Sequence, residues 1–525
     1  MQQYVAESAP RLHDYLYRWA TERGESEAVV TADACLTYAM LKDAVDDCAR
    51  GLIAAGAKRG DRIATLTVPG PDFLVTFLAT ASVGCIWVGL NPRYTNPELT
   101  QLVDRISPKL VFSRAAVGER QYGAWLASLP ASIRKILLDE GVSDQPAASG
   151  TSFGEFLRNG EATSLAELAD RLAGTQPRDT CLIVFTSGST GRPKGVMISH
   201  AALVGASEVQ LKIWPVAPLR ILNNLPINHI GCVGDISCYA LIAGGTILFA
   251  ERFEPGVIPR YIRDEGITVW GQVPTMFQLT LDAPEFDPSM LGSLQLIFWG
   301  GAHASAMLIE RLHAICPRIA TSYGQTETVG SVTFTAPDTP VASLRDTVGR
   351  AVPPYDIRIV DEADGALPAG EAGEIAVSTP YGMSGYWNGA DQRPEFSAGD
   401  MWHRTGDVGV LNESGDLALR GRVHDVFKSG GYNIYPAEIE AELETHSEVR
   451  QAAVIGVEDA IFGTVAVAFI VPQHARVEGE ALGLFLRERL ANYKIPKRFS
   501  CLKELPRLPV GKVDKRALKR LWEAS

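Results

Sequence analysis

The chain has 525 residues, of which 46% are hydrophobic and 21% charged. This length exceeds what one hydrophobic core usually supports, so we expect two or more domains with an ordinary globular composition. The net charge of −12 argues against a surface for nucleic acid or anionic membrane, because both need a basic footprint.

The first twenty residues mix charged and apolar side chains at helical spacing. This pattern predicts an amphipathic helix of a cytoplasmic protein, since the continuous apolar core of a signal peptide is missing. No stretch approaches the ~18 uninterrupted apolar residues of a membrane span, so we expect no integral membrane contact. The eight cysteines have no C-x-x-C spacing, which predicts free, mostly buried thiols and argues against a zinc site.

Helical and strand patterns alternate along the first part of the chain, which predicts parallel sheets with crossover helices. The residues between 143 and 154 are rich in Ser, Gly, Pro and Ala, and predict a loop. The predicted helices are 40–55 and 72–83, and the predicted strands are 62–68, 85–89, 181–185, 246–249, 268–270 and 294–299.

After residue 349 short strand patterns at 357–360, 373–377 and 408–411 predict a β-rich subdomain. Beyond residue 425 two helices, 437–444 and 482–490, and two strands, 452–456 and 465–471, predict a compact α+β unit. We therefore predict an N-terminal domain over 1–421, a boundary at 422–425 and a C-terminal domain over 426–525.

The strongest motif is T-S-G-S-T-G-R-P-K-G at 186–195, directly after a predicted strand. Glycines allow several backbone N–H groups to face one anion, while the hydroxyls and Lys194 add donors and charge. The string is not the P-loop, which needs Gly at Pro193 and Ser or Thr at Gly195. A flexible turn is the alternative, but the proline and lysine make the full string far more specific than S-G-S-T-G.

The motif resembles the signature loop of the adenylate-forming superfamily, in its acyl-CoA synthetase branch. Further segments of this chain resemble that family's landmarks in the expected order: P-I-N-H at 226–229, G-G-A at 300–302, Y-G-Q-T-E at 323–327, G-Y-W-N at 385–388, T-G-D at 405–407, G-R at 421–422 and P-V-G-K at 509–512. The resemblance implies a large α/β N-terminal domain and a small mobile C-terminal domain. It also implies that ATP and a carboxylic acid give acyl-AMP and pyrophosphate, and that coenzyme A then gives acyl-CoA and AMP.

The resemblance implies a nucleotide site around the 186–195 loop, which would hold the β- and γ-phosphates. Tyr323 would stack on adenine, Asp407 would accept from the ribose hydroxyls, and Glu327 would bind Mg²⁺, a cation that prefers oxygen ligands. The implied nucleotide-binding residues are Thr186, Ser187, Gly188, Ser189, Thr190, Gly191, Lys194, Gly300, Gly301, Ala302, Tyr323, Gly324, Gln325, Thr326, Asp407 and Arg422.

The implied catalytic residues are Thr186, Glu327, Lys428 and Lys512, of which Lys512 would stabilise the transferring phosphoryl group. A rotation of the C-terminal domain would replace Lys512 with the segment Ser429, Gly430, Gly431 and Tyr432, where paired glycines leave room for pantetheine. A Gly-Gly turn before a helix starting near Pro436 explains that segment equally well. The hinge position, usually Asp or Lys, is His424 here, so rotation is expected to depend on pH near neutrality.

The implied acyl pocket contains His229, Ile230, Val233, Trp299, Gly301, Gly324, Val329 and Gly330. Small and apolar residues dominate, which favours a medium-to-long-chain, aryl or bulky cyclic acid. The glycines suggest room for a large acyl group, although they serve backbone packing equally well.

Rival functions include a hydrolase, a non-catalytic nucleotide-binding relative, against which Lys512, Glu327 and Asp407 argue, and a ligase that loads a carrier protein. G-T-S-F-G at 150–154 matches a hydrolase nucleophile elbow, but a loop rather than a strand is predicted before it. An acyl-AMP ligase that loads a carrier protein is the closer rival; no carrier-protein site follows Lys512, which favours free coenzyme A. The sequence identifies neither the acid nor the oligomeric state, and a homodimer stays open.

Overall fold

A computed structural model describes residues 9–139, 150–186, 193–387, 402–429, 432–459, 463–473, 477–507 and 513–524. Two large sheets, each with a central set of parallel strands, form the N-terminal part of the molecule. The apolar strand patterns of the sequence explain this, because strands buried on both faces read as continuous apolar runs.

The first sheet has nine strands within the described ranges, and its central six strands run parallel. The carboxyl ends of parallel strands share one edge, where ligands of open α/β sheets bind. In spatial order the strands are Arg350–Ala351, Gly330–Phe334, Ile319–Gln325, Leu296–Trp299, Val269–Gln272, Arg220–Asn223, Thr246–Phe249, Glu27–Val30 and Cys35–Thr37.

The second sheet has eight strands within those same ranges. Its strand Thr180–Thr186 pairs in parallel with one neighbour and antiparallel with the other, which begins at Lys194. In spatial order the strands are Gly385–Trp387, Lys194–Ser199, Thr180–Thr186, Ile86–Leu90, Arg62–Leu66, Leu110–Ser113, Arg134–Leu137 and Thr151–Ser152. A separate two-stranded ribbon joins Ala116–Val117 to Arg120–Gln121.

Helices fill the space between the two sheets and cover their outer faces. The largest core cluster joins both sheets through the helices Tyr38–Ala54, Pro71–Ser82 and His200–Ile213. Pro71–Ser82 is buried nearly all round, as expected for a helix between two sheets. The other helical segments up to residue 344 are Leu12–Arg23, Asn96–Ile106, Gly123–Ser128, Phe153–Gly160, Leu165–Gly174, Tyr239–Ala243, Ile258–Asp264, Pro274–Leu281, Ala306–Ile315, Val341–Leu344, the π-helix Gly231–Cys238 and the 3₁₀ turns Pro288–Leu291 and Thr326–Thr328.

A four-stranded antiparallel sheet follows, formed by Asp356–Val360, Ala372–Ser378, His403–Leu411 and Leu417–Arg422. The hairpin Phe427–Ser429 and Tyr432–Ile434 comes next. The C-terminal part is built on a three-stranded sheet with its own core on each face. Its elements are Pro436–Leu443, Val449–Asp459, Gly463–Pro472, Gly479–Arg487, the 3₁₀ turn Asn492–Lys494, Arg498–Cys501 and Lys515–Glu523.

The predicted fold class is confirmed: an α/β N-terminal part with parallel sheets and a β-rich subdomain precedes a small α+β part. The predicted loop over 143–154 is wrong at its end, because Thr151–Ser152 forms a strand and a helix begins at Phe153. All eight cysteines are free and six are buried, as predicted. Within the described residues, no helix combines the length and apolarity needed to cross a bilayer.

Candidate active site

The ends of the predicted phosphate loop are held together by a β-hairpin. Thr186 and Lys194 face each other as partners at the open end of two antiparallel strands. Ser187, Gly188, Ser189, Thr190 and Gly191 lie outside the described residues. The hairpin therefore fixes where the loop leaves and re-enters the sheet.

Tyr386 connects the loop to the predicted magnesium carboxylate. The Lys194 ammonium lies 4.8 Å from the centre of the Tyr386 ring, within the range of a cation–π contact. The hydroxyl of the same tyrosine donates to Glu327 Oε1 at 3.1 Å. Tyr386 belongs to the G-Y-W-N segment, but the sequence alone assigns it no role. A tyrosine in a strand indicates packing unless the partner of its hydroxyl is known.

Asp407 lies at the centre of a second set of contacts. The Tyr323 hydroxyl donates to Asp407 Oδ2 at 2.8 Å, and Gln325 Nε2 donates to the same oxygen at 3.2 Å. Arg422 Nε lies 3.0 Å from Asp407 Oδ1, because the two residues are opposite each other on neighbouring strands. Burial and then the Asp407 charge raise the pKa of Tyr323 well above its ordinary value, so the phenol stays protonated.

The two sets of contacts share one segment. Gln325 reaches Asp407, and two residues later Glu327 reaches Tyr386, so the Y-G-Q-T-E motif joins them. Gly300, Gly301 and Ala302 follow the neighbouring parallel strand and lie at the same edge. Gly301 has φ of 78°, the left-handed region that favours glycine. We call Thr186, Lys194, the segment 323–327, Asp407 and Arg422 the nucleotide region.

A narrow gap, without room for a water molecule, lies between the helix His200–Ile213 and the strand Gly330–Phe334. We call it the candidate acyl pocket; residues that line it include Leu203, Ser207, Gln210, Asp235, Val329 and Phe334. Ile230 and Val233 are buried in the same core cluster as Val329. Val329 has φ of 60°, which is rare for a β-branched residue and marks a strained turn.

Two glycines of the predicted pocket do not provide room for an acyl chain, whereas a Cβ on the third, Gly301, would meet only Val273, at 3.8 Å. A Cβ on Gly324 would lie 2.0 Å from the carbonyl oxygen of Gly330, and a Cβ on Gly330 would lie 2.4 Å from Asp235 Oδ1. Gly324 and Gly330 therefore permit close packing, and the expectation of a large acyl group loses the support of these two glycines. His229 caps its own turn, since its Nδ1 accepts the backbone N–H of Gly231 at 3.2 Å.

The prediction that Trp299 lies in the acyl pocket is wrong. Successive side chains of a strand point to opposite faces of the sheet, and Phe298 packs in the cluster that contains Val233 and Val329. Trp299 packs in the cluster on the opposite face. The structure therefore does not place the indole with the other predicted pocket residues. Asp235, which lines the pocket, was missed because a lone Asp in an apolar run carries no motif.

The residues assigned to the mobile domain are described only in part. Gly430, Gly431 and Lys512 lie outside the described residues, as do the side chains of Lys428 and Tyr432. Ser429, which is buried, faces Tyr432 across the hairpin. The helix after it starts at Pro436, as predicted.

The residues that flank 508–512 approach the carboxyl edge of the first sheet. Arg507 and Val513 pair as an isolated bridge, and Arg507 Nη1 donates to Thr275 Oγ1 at 3.1 Å. Thr275 follows the central strand Val269–Gln272, at its carboxyl end. The segment that contains Lys512 therefore begins and ends near that edge.

The region proposed as hinge lies between Arg422, the last residue of the four-stranded sheet, and Phe427. His424 is exposed there. Its neighbour Asp425 lies 3.8 Å from Lys515, which also lies 2.9 Å from Glu440. Lys515 opens the last helix, three residues after Lys512.

Comparison with known families decides the relationship. The AMP-binding enzyme family model matches residues 16–387, and the model of the AMP-binding enzyme C-terminal domain matches residues 438–512. The chain belongs to the AMP-binding enzyme family. The suspected resemblance to the adenylate-forming superfamily is therefore confirmed.

Similar proteins cover nearly the whole of this AMP-binding enzyme. It is 33% identical to a feruloyl-CoA synthase of an Amycolatopsis species, over 96% of this chain and 98% of the relative. It is 32% identical to an indoleacetate–CoA ligase of Aromatoleum aromaticum, over 97% and 98% of the two chains. The crystal structure of ATP-bound MatB from Rhodopseudomonas palustris superposes with a TM-score of 0.82 at 28% identity, over 98% and 99%. This AMP-binding enzyme is an ATP-dependent, AMP-forming acyl-CoA ligase.

The G-T-S-F-G segment, which suggested a hydrolase, has a structural role in this enzyme. The Ser152 hydroxyl accepts the backbone N–H of Glu155 at 3.2 Å and caps the helix Phe153–Gly160. A strand and a helix do flank the serine, contrary to the expected loop context, but its hydroxyl is a helix cap. The G-T-S-F-G segment is therefore accounted for by local structure.

Proposed function

We propose that this acyl-CoA ligase activates an apolar carboxylic acid. The acid belongs to one of three classes: medium-to-long-chain, aryl or bulky cyclic acids. The observation that carries the proposal is the lining of the candidate acyl pocket, in which apolar side chains stand beside Ser207, Gln210, Asp235 and Ser331. Leu203, Val329 and Phe334 line that pocket, and no described lysine or arginine lines it. Two relatives named for feruloyl and indoleacetate groups support an aryl acid among the three classes.

In the first half-reaction, a carboxylate oxygen attacks the α-phosphorus of ATP and pyrophosphate leaves. Both reactants are anionic, so positive charge and N–H donors must offset their repulsion. Lys194 and the hairpin that ends in Thr186 would hold the β- and γ-phosphates. Lys512 would neutralise charge on the transferring phosphoryl group.

Tyr323 and Asp407 would position adenosine. Asp407 is nearly buried and its oxygens are oriented by Tyr323, Gln325 and Arg422, which prepares the remaining lone pairs for ribose hydroxyls. Tyr323 is only 7% exposed, so its ring borders the site rather than projecting into solvent.

Glu327 fits a magnesium site that is completed by the nucleotide. Among the described residues no group of three or more His, Cys, Asp or Glu could hold a metal. A single carboxylate suits Mg²⁺, which is commonly held by one or two carboxylates together with substrate phosphates and water. When bound, the ion would neutralise phosphate charge. Tyr386 would orient Glu327 toward it.

In the second half-reaction the thiol sulfur of coenzyme A attacks the acyl carbonyl, and AMP leaves with the bonding electrons. We propose that residues 422–425 act as a hinge between domains over 1–421 and 426–525. Rotation would bring Lys428 and the Ser429–Tyr432 hairpin, with Gly430 and Gly431, to the site. The Lys515 contacts with Asp425 and Glu440 support a link between the hinge and the segment that contains Lys512.

The test measures AMP, pyrophosphate and thioester over a panel of aliphatic, aryl and cyclic acids, with coenzyme A as the only acceptor. We expect AMP and acyl-CoA in equal amounts with at least one apolar acid. Acyl-AMP without thioester would favour the alternative, a ligase that loads a carrier protein. ADP in place of AMP would contradict the proposal.

A further inference from the structure

Arg507 joins the small C-terminal part of the molecule to the N-terminal part. Its Nη1 donates to Thr275 Oγ1 at 3.1 Å, and its Nη2 donates to Gln451 Oε1 at 3.1 Å. Thr275 belongs to the N-terminal part, whereas Gln451 lies in the strand Val449–Asp459 of the C-terminal sheet. One planar guanidinium therefore connects the two parts, with a different nitrogen bonded to each.

The chain segments on the two sides of Lys512 are joined at Arg507. Arg507 and Val513 are partners in an isolated antiparallel bridge. One residue further out on each side, the backbone N–H of Asp514 donates to the carbonyl oxygen of Pro506 at 2.8 Å. The position of Arg507 therefore determines where the chain leads into and out of the residues that include Lys512.

Thr275 lies beside a turn of the candidate active site. Two residues before it, Val273 borders the G-G-A turn, since a Cβ on Gly301 would lie 3.8 Å from Val273 Cγ1. The residue before that, Gln272, is the register partner of Trp299, and the turn begins directly after Trp299. The guanidinium is therefore bonded to the N-terminal part next to a turn that is predicted to bind the nucleotide.

The contact between the two parts is suited to being broken and remade. Its acceptor is a neutral hydroxyl on the second residue of a helix, where a positive charge gains nothing from the helix dipole. Burial lowers the pKa of Arg507, and the negative charges of Glu444 and Glu504 in the C-terminal part oppose that shift. When the bond to Thr275 is broken, the guanidinium keeps Gln451 and these carboxylates on its own side. One hydrogen bond of this kind is strong enough to favour an orientation without fixing it.

We propose that Arg507 is a positioning residue for adenylation: its hydrogen bond to Thr275 holds the C-terminal part in the orientation that serves the first half-reaction, and rotation for the second half-reaction breaks it. This role rests on the proposed function, in which Lys512 acts in the first half-reaction and the C-terminal part then rotates. Loss of the contact shifts the equilibrium between the two orientations away from the first. Adenylate formation should therefore slow, while thioester formation stays the same or becomes faster.

The test uses Thr275→Val, Arg507→Met and the variant that combines them. Thr275→Val keeps the size and branching of the side chain and removes only the hydroxyl that accepts from Arg507. Arg450→Met is the matched control. Arg450 is an exposed arginine next to Gln451 in the same strand, and it donates to the carbonyl oxygen of Lys503 in the C-terminal part at 3.3 Å.

Pyrophosphate release measures the first half-reaction, and thioester formation from a supplied acyl-adenylate and coenzyme A measures the second. The acid is the one that gives the most AMP with the wild type in a panel that includes octanoate, phenylpropanoate and cyclohexanecarboxylate. We expect adenylate formation to be about tenfold slower in Thr275→Val and in Arg507→Met, the range for a hydrogen bond to a charged group. The combined variant should be no slower than Arg507→Met, because both substitutions remove the same hydrogen bond. Arg450→Met should keep both wild-type rates.

Equal slowing of both half-reactions in Thr275→Val and Arg507→Met would show a purely structural role and overturn the proposal. Wild-type adenylate formation in Thr275→Val would overturn it, as would additive losses in the combined variant. These results leave the proposed function intact, since the wild type still forms AMP. A wild-type enzyme that forms no AMP with any acid of the panel would contradict the proposed function, and with it the role of Arg507.

Discussion

The nucleotide region and the candidate acyl pocket are built in different ways. The first collects residues of short motifs at strand ends, and its polar groups contact one another through Tyr386 and Asp407. The second is formed where a helix, a π-helix and the strand Gly330–Phe334 meet, and its one carboxyl group has no motif around it. The common chemistry thus depends on local sequence, whereas substrate choice depends on tertiary packing.

Substitution of Lys512 by alanine has the largest expected effect and tests the adenylation chemistry. We expect adenylate formation to fall by about 10²–10³, the range for loss of one electrostatic contact to a transition state. Thioester formation from a supplied acyl-adenylate should stay near wild type. Lys503→Ala removes an exposed lysine nearby and serves as the matched control. Equal loss of both half-reactions in Lys512→Ala would remove the assignment.

Asp407→Asn tests whether the oriented carboxylate binds adenosine. The variant loses the charge opposite Arg422, and we expect kcat/KM for ATP to fall about tenfold or more while the KM for the acid changes little. Asp416→Asn is the control, because Asp416 pairs with Arg350 at 2.9 Å and precedes the strand Leu417–Arg422, at the opposite end from Arg422. Equal effects of the two substitutions would show that the loss is structural.

Tyr386→Phe separates the hydroxyl from the ring. The ring beside Lys194 stays, but the hydrogen bond to Glu327 is lost. We expect about a tenfold loss of activity at limiting Mg²⁺ and recovery at high Mg²⁺, because Glu327 is less well oriented. Tyr381→Phe removes a nearby hydroxyl and should leave the Mg²⁺ dependence unchanged. A Mg²⁺ profile identical to wild type in Tyr386→Phe would contradict a positioning role.

A pair of buried histidines supports the helix that lines the acyl pocket. Burial lowers the pKa of His13 to about 3 and that of His200, the first residue of that helix, to about 4. Both rings therefore stay neutral when folded, and their contribution is complete above pH 6.5. As the pH falls from 6.5 toward 4, the free energy of unfolding should drop by about 1.4 kcal/mol per pH unit for each histidine.

Urea unfolding between pH 5 and 7.5 measures this dependence. His13→Leu should make the free energy of unfolding depend less steeply on pH, by the equivalent of about one bound proton. His313→Asn, at an exposed site, should leave that dependence as in the wild type. A slope for His13→Leu equal to wild type would show that His13 does not remain neutral in the fold.

The sequence predicted the elements and the nucleotide region better than the pocket. Strands such as Thr246–Phe249 could be predicted because they are short apolar runs between turn residues. The side of the sheet to which Trp299 points could not be predicted. Its strand is buried on both faces, so apolar and polar residues do not alternate along it. The packing roles of Gly324 and Gly330 depend on how the next strand folds back on the motif and on Asp235. Asp235 itself has no local signature.

The most direct test of the central claim is a crystal structure with ATP bound. We expect the triphosphate between Thr186 and Lys194, Mg²⁺ at Glu327, the ribose hydroxyls at Asp407 and adenine against Tyr323. A triphosphate bound away from the 186–194 hairpin, or a ribose that does not contact Asp407, would contradict this account.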